Sequence, residues 1–220
     1  MRQLCRSVTV IALLAALLVS CGSTTGDDRL VLRFIEFNGD GLTQADAVNS
    51  NSANVDVVPS VCQVDEFGNP TSFEVFTQTI INAVFMNEES TDILLQNVHV
   101  DTGSSSGLSP FDETISANVI GGRCSNAADQ SCASGGDCVS VGGGSLLGTC
   151  VHTETTVSAI LLFDFLRKAQ AALNPVIFGV AQNVTITFTG TDDRGRTFTV
   201  TTGYVATFDN FDNCMAPTGG

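Results

Sequence analysis

Tryptophan is absent, tyrosine occurs once as Tyr204, and only two histidines, His99 and His152, stand among 220 residues. A glycan site of the usual kind stacks a sugar face on an exposed ring, and this sequence has little to build one with. Its fourteen Phe fall mostly at strand positions where a core needs them. Two histidines also leave few general bases for hydrolytic chemistry. Cations are scarce: nine Lys and Arg face twenty-three Asp and Glu, for a formal net charge of −14. Phosphate binding needs a basic patch, so nucleic acid is excluded as a partner, and direct adhesion to anionic lipid is disfavoured. Repulsion of this size favours solubility, and it also raises the question of divalent cations. Long amphipathic helical patterns, internal repeats and C-x-x-C pairs are missing as well.

What is present first is an N-terminal address. MRQLCRSVTVIALLAALLVSC places Arg2 and Arg6 before an apolar stretch, Val8 to Ser20, that is too short to span a bilayer and reads as a signal peptide over residues 1–20. Its end, Leu18-Val19-Ser20-Cys21, matches the lipobox of bacterial lipoproteins. That resemblance implies a diacylglycerol on the Cys21 sulfur, cleavage before Cys21, and usually acylation of the new amino group. Two or three acyl chains, at about 0.8 kcal/mol per buried methylene, make a stable anchor. The same resemblance, with Gly22 rather than Asp after the Cys, favours the outer membrane over the inner. Loss of Arg2 and Arg6 would leave seven cations against twenty-three acids, a net of −16. Residues 21–28, the lipidated Cys and GSTTGDD, read as a tether.

From residue 29 to 220 one domain is expected. Short runs rich in Val, Ile, Phe and Thr recur between Gly, Asn, Asp and Ser clusters, the pattern of an antiparallel sandwich or barrel. Candidate strands cover 30–37, 54–58, 73–86 with one break, 92–101, 113–120, 155–165, 182–190 and 197–208. In VTITFTGTDDRGRTFTVTTG a period of two sets Val184, Ile186, Phe188, Phe198 and Val200 against a core and the Thr set toward water, with Gly195 and Asp192 closing the hairpin. AILLFDF, 159–165, is apolar on both faces and reads as an interior strand, and 166–173 as two turns of helix stopped by Asn174 and Pro175. Asp164 is expected to point outward beside Arg167 or Lys168.

Of eight cysteines, Cys5 leaves with the signal and Cys21 carries lipid. The six remaining, Cys62, Cys124, Cys132, Cys138, Cys150 and Cys214, form an even set, which in an exported protein implies three disulfides. Four lie in the Gly- and Ser-rich loop 121–151, which has too few apolar side chains to build a core of its own. Crosslinks among those four are expected, leaving Cys62 to Cys214 as a long-range staple worth up to about 4–5 kcal/mol. No pair has the spacing of a zinc or redox motif.

Three further patterns carry chemistry only weakly. In EFNGDGLTQAD, Glu36, Asn38 and Asp40 stand at the first positions of a calcium loop, but Ala47 takes the place of the closing acid and a strand precedes the loop, so a turn is the better reading. GSSSG, 103–107, has the G-x-S-x-G form with Ser105 as nucleophile; no helix follows it, as the elbow requires, because Leu108, Ser109 and Pro110 come next. The glycines at 142–144 lack the Lys of a phosphate loop.

The lipobox, the closing TFTGTDDRGRTFTVTTGYVATFDNF and the preceding TETTVSAILLFDF together resemble uncharacterised proteobacterial lipoproteins with an immunoglobulin-like β-sandwich. The resemblance implies an all-β, immunoglobulin-like antiparallel sandwich with a disulfide-rich inserted loop, and carries no activity or site residues with it. The expectation is a non-enzymatic binding or structural module on a lipid anchor, serving another envelope or extracellular protein, without a cofactor. The alternatives are a calcium-dependent adhesion protein using Glu36, Asn38 and Asp40, and an esterase-like hydrolase using Ser105 with His99 or His152.

Overall fold

A computed structural model describes residues 32–39, 47–48, 51–74, 77–138 and 148–211; the signal segment, Cys21, Asp40 and Cys214 lie outside them. In chain order the strands are β1 (Leu32–Gly39), β2 (Ala47–Val48), β3 (Ser52–Asp56), β4 (Val61–Val64), β5 (Pro70–Phe73), β6 (Thr79–Asn87), β7 (Ile93–Asp101) and β8 (Phe111–Val119). Then come β9 (Arg123–Cys124), β10 (Ala127–Ser131), β11 (Cys150–Val151), β12 (Glu154–Phe163), helix α1 (Phe165–Ala172), β13 (Ala181–Asp192) and β14 (Thr197–Asp209). The all-β class is as expected, and the run 73–86 is indeed broken, between β5 and β6. No helix among the described residues is long and apolar enough to cross a membrane.

Two sheets enclose one core. The first runs β1-β6-β12 and the second β2-β3-β14-β13-β7-β8. Alternation explains their facing: along β13, Val184, Ile186 and Phe188 are buried while the intervening Thr residues face outward, as the period of two dictates. Aromatic rings cross the gap between the sheets. Phe188 meets Phe85 edge-on at 4.9 Å and Phe37 at 6.4 Å, Phe37 meets Tyr204 at 5.1 Å, and Phe163 meets Phe208 at 4.8 Å. The β13–β14 hairpin closes as expected, with Gly195 at φ +75° and Asp192 accepting the Arg194 and Arg196 N–H groups at 3.0 and 2.8 Å.

Two expectations fail for identifiable reasons. β12 is an edge strand, not an interior one. Its register against β6 slips between Val157 and Ile160, with Ala159 at φ +61°, and again between Leu161 and Phe163. Bulges of this kind turn successive apolar residues the same way, so a run that is apolar throughout does not need two buried faces. The open edge is capped by Glu113 of β8, whose carboxylate accepts the Leu161 N–H at 2.8 Å. The sheets are also not purely antiparallel, since β3 runs parallel to β14. β3 joins the second sheet beside the last strand of the chain, a pairing that the pattern within either segment does not encode.

Strand directions define two ends. The start of β1, the 88–92 turn, the 121–151 insert and the β13–β14 loop share one, here the near end, because Leu32 pairs Asn87 and Ile93 pairs both Val119 and Asp192. The far end gathers α1, the β4–β5 hairpin, the one-turn 3-10 helix at 104–106 and the 174–180 turn. Asn174 ties two of these together by donating to the Ser106 carbonyl at 2.7 Å.

Phe188→Ala is expected to lower stability by about 3–5 kcal/mol by leaving a cavity between the sheets, whereas Thr199→Ala on the outer face should stay within about 0.5 kcal/mol. Urea midpoints of the two variants check the facing.

Candidate functional site

The cysteine insert is built as a small crosslinked module on the near end. Cys124 bonds Cys138 and Cys132 bonds Cys150, so the two closures interleave along the chain. Cys62 on β4 is disulfide-bonded as well. The sulfurs of Cys124, Cys132 and Cys138 lie within 4.8 Å of one another, but as cystines they offer no thiolate to a metal. His152 docks the module by donating Nδ1–H to the Asn87 carbonyl at 2.8 Å, with Nε2 3.5 Å from the Cys150 sulfur. Gly122 has no room for a side chain. A Cβ there would run into the Cys132 carbonyl, the His152 ring and the Cys150 sulfur. Asp92 completes the joint, accepting from Gly121 N at 2.9 Å and Arg123 at 2.6 Å. Burial alone would raise its pKa, but these two donors outweigh burial and hold the carboxyl below the usual range.

The remaining sequence candidates are scattered. Glu36 and Asn38 are strand residues of β1, and the Asn38 amide donates to Glu36 Oε1 at 3.2 Å. Ser105 is exposed at the centre of the 3-10 turn, followed by non-helical chain; its neighbour Ser106 is buried and holds the turn, pairing with Thr102 at 2.7 Å and donating to the Gly103 carbonyl at 2.8 Å. His99 donates to Asp112 at 2.9 Å on the outer face of β7 and β8, and its hydrogen bond, with one from Asn97, lowers the Asp112 pKa. Among the described residues no hydrogen bond links Ser105 to either histidine. Asp164 caps α1, accepting from Arg167 N at 2.8 Å and pairing with the Arg167 guanidinium at 2.6 Å. Arg167 in turn lies 3.7 Å over the Phe111 ring.

The far end holds what the sequence reading missed. Nine of the thirteen exposed large apolar side chains among the described residues lie there. Val61, Val64, Phe67 and Phe73 project from the β4–β5 hairpin, with Phe67 80% exposed. Phe165, Leu166, Leu173, Val176 and Val180 project from α1 and the turn after it, with Leu173 86% exposed. Isolated exposed Leu or Val needs no explanation, but nine gathered at one pole are a concentration.

At the root of that pole sits a buried charged cluster. Asp56, Glu74 and Lys168 are 0%, 7% and 0% exposed. Glu74 accepts the Ser60 N–H at 2.6 Å and returns its own N–H to the Ser60 carbonyl at 3.1 Å, so it clamps the hairpin base. Asp56 ends β3 and accepts from Val58 N at 3.3 Å. Burial, a hydrogen bond from Glu74 and the Glu74 charge lift the Asp56 pKa to about 6, against the opposing pull of the Val58 N–H and Lys168. The only sequence signals were an Asp inside a valine-rich run and a Lys three residues before Ala171, which shares its helix face.

Comparison with known protein families, with curated proteins and with solved structures finds no match. The fold and the site therefore define a class and no more: an all-β protein whose two-sheet core carries a cystine module at one end and an apolar surface at the other.

Replacing Cys124 and Cys138 together by Ser should cost the insert about 3 kcal/mol. Hydrogen exchange at the Gly122 and Cys132 amides, which bond the Glu89 and Gly122 carbonyls, should then quicken by about two orders of magnitude while β13 and β14 keep their protection.

Proposed function

We propose that the chain is a non-enzymatic, lipid-anchored module of the bacterial envelope, held at the outer membrane through Cys21, with an immunoglobulin-like sandwich that presents its far end to another protein. The observation that carries this reading is the separation of the poles. The chain enters β1 at the near end, and nine exposed apolar side chains lie at the far one. Strand order supports the immunoglobulin-like part. β6 lies between β1 and β12, and β13 lies between β7 and β14, with β8 beyond β7 and β3 and β2 beyond β14, an order that contains the A-B-E and C-F-G neighbours of an immunoglobulin sandwich, with no D strand among the described residues and three strands added to the second sheet.

Four of the six described cations, Arg33, Arg123, Arg194 and Arg196, stand at the near end, where Arg33 pairs with Glu88, Arg123 with Asp92, and Arg196 with Asp192 and Glu89. At the far end Arg167 is paired and Lys168 is buried, while Asp65 and Glu66 precede Phe67. The occupant that fits is a protein surface that is apolar at its centre and basic at its rim.

A photo-crosslinking amino acid at position 67 in intact cells should capture protein and one at position 194 should capture lipid. Cys21→Ala should abolish palmitate incorporation and the lipid adduct together. Lipid adducts at position 67, or palmitate retained without Cys21, would overturn the reading.

A further inference from the structure

The two disulfides of the insert lie against each other. Cys132 Sγ is bonded to Cys150, yet it stands within 4.8 Å of both Cys124 Sγ and Cys138 Sγ, which form the other bond. Cys124, Cys132 and Cys138 are at most 2% exposed, and of the four only Cys150 is partly open. A reagent that reaches the insert therefore meets Cys150 first.

His152 is set against that sulfur. The Asn87 carbonyl can only accept, so the bond at 2.8 Å places a proton on Nδ1, and in the neutral ring this leaves Nε2 bare and turned to Cys150 Sγ at 3.5 Å. In the disulfide that sulfur has no hydrogen to give, so the ring nitrogen aims at a donor that exists only when Cys150 is a thiol. Gly122 packs closely on both groups, since a Cβ there would lie 2.7 Å from ring Cε1 and 2.8 Å from the Cys150 sulfur. A thiol that hands its proton to a neighbouring imidazole becomes the thiolate, which is the reactive form. We propose that the insert is a thiol–disulfide exchange site for a dithiol, with Cys150 as the entry sulfur, His152 as its proton acceptor, and Cys132 as the sulfur that passes the exchange on to the Cys124–Cys138 bond.

One thiolate of the dithiol attacks Cys150 Sγ, the bond to Cys132 breaks, and Cys132 leaves with the electron pair. That thiolate is buried within 4.8 Å of the second disulfide. It attacks Cys124 or Cys138, forms a new bond there, and frees the other sulfur, which takes up a proton. The second thiolate of the dithiol then attacks its partner sulfur in the mixed disulfide and closes the oxidised product, while Cys150 departs with the electron pair. Of the two protons shed by the dithiol, one ends on the freed thiol of the insert and the other is shared between Cys150 and Nε2. The dithiol is oxidised by two electrons and the chain gains two thiols. This first exchange is stoichiometric, one dithiol for each chain, and it needs neither the lipid anchor nor the far-end partner of the reading above.

The test is an acid-quenched alkylation time course of the full-length chain with one equivalent of dithiothreitol at pH 7, with each cysteine read by peptide mass mapping. Cys150 should be labelled first, together with Cys124 or Cys138, while Cys132 stays paired and Cys62, whose disulfide lies outside the insert, stays unlabelled. With Cys124→Ser and Cys138→Ser combined, no second disulfide is left to attack, so Cys132 should be labelled in step with Cys150. His152→Asn keeps an amide N–H for the Asn87 carbonyl and removes the ring nitrogen from the sulfur; it should slow labelling of Cys150 about a hundredfold. A histidine that only docks the insert would give the opposite sign, because its loss loosens the module and hastens reduction. Labelling of Cys132 in step with Cys150 in the unmodified chain, first labelling at Cys62, or unchanged or faster labelling in a folded His152→Asn, overturns the site.

Discussion

The interlocking of aromatic rings between the two sheets is the constraint on which the rest of this molecule depends. Phe188 from the second sheet sits against Phe37 and Phe85 from the first, and Phe163 meets Phe208 nearer the far end. These contacts span the sandwich thickness, so they fix which face of each strand looks inward. A one-residue slip in any of these strands would expose its ring. With the facing set, the loops have no freedom about which pole they occupy, and the separation of the cystine module from the apolar end follows.

Legibility in the sequence followed the range of the interactions. The β13–β14 hairpin could be read to the residue because its determinants are local: alternating Val, Ile, Phe and Thr, a glycine at positive φ and an Asp that bonds the turn. The helix stop at Asn174 and Pro175 and the cap at Asp164 are equally local. β12 was misjudged because a double bulge mimics, in composition, a strand buried on both sides. The short strands β4 and β5 were missed, since VCQV and PTSF carry little alternation and expose most of their side chains. Disulfides were expected among the four clustered cysteines, but which sulfur meets which depends on the docking of the insert through His152 and Gly122, and spacing does not hold that information.

The far-end cluster was invisible for a different reason. Asp56, Glu74 and Lys168 come from a strand end, a hairpin exit and a helix, separated by eighteen and then ninety-four positions. Nothing local distinguishes them from solvated charges. Alternation along β3, with Ala53 and Val55 inward, would even place Asp56 outside, and it is buried because β3 ends there and the hairpin and α1 close over it.

Burying two carboxyls and an amine is a poor way to gain stability, since a hydrophobic trio of similar volume generally does at least as well. What such a cluster provides is geometry, because the Val58–Asp56 and Ser60–Glu74 bonds form in one arrangement of the hairpin base. At this pole that matters more than in the core. The hairpin turns its apolar side chains to the outside, so its hold on the sandwich is the Ser60–Glu74 joint together with the disulfide at Cys62, whereas α1 is seated by the buried Ala171.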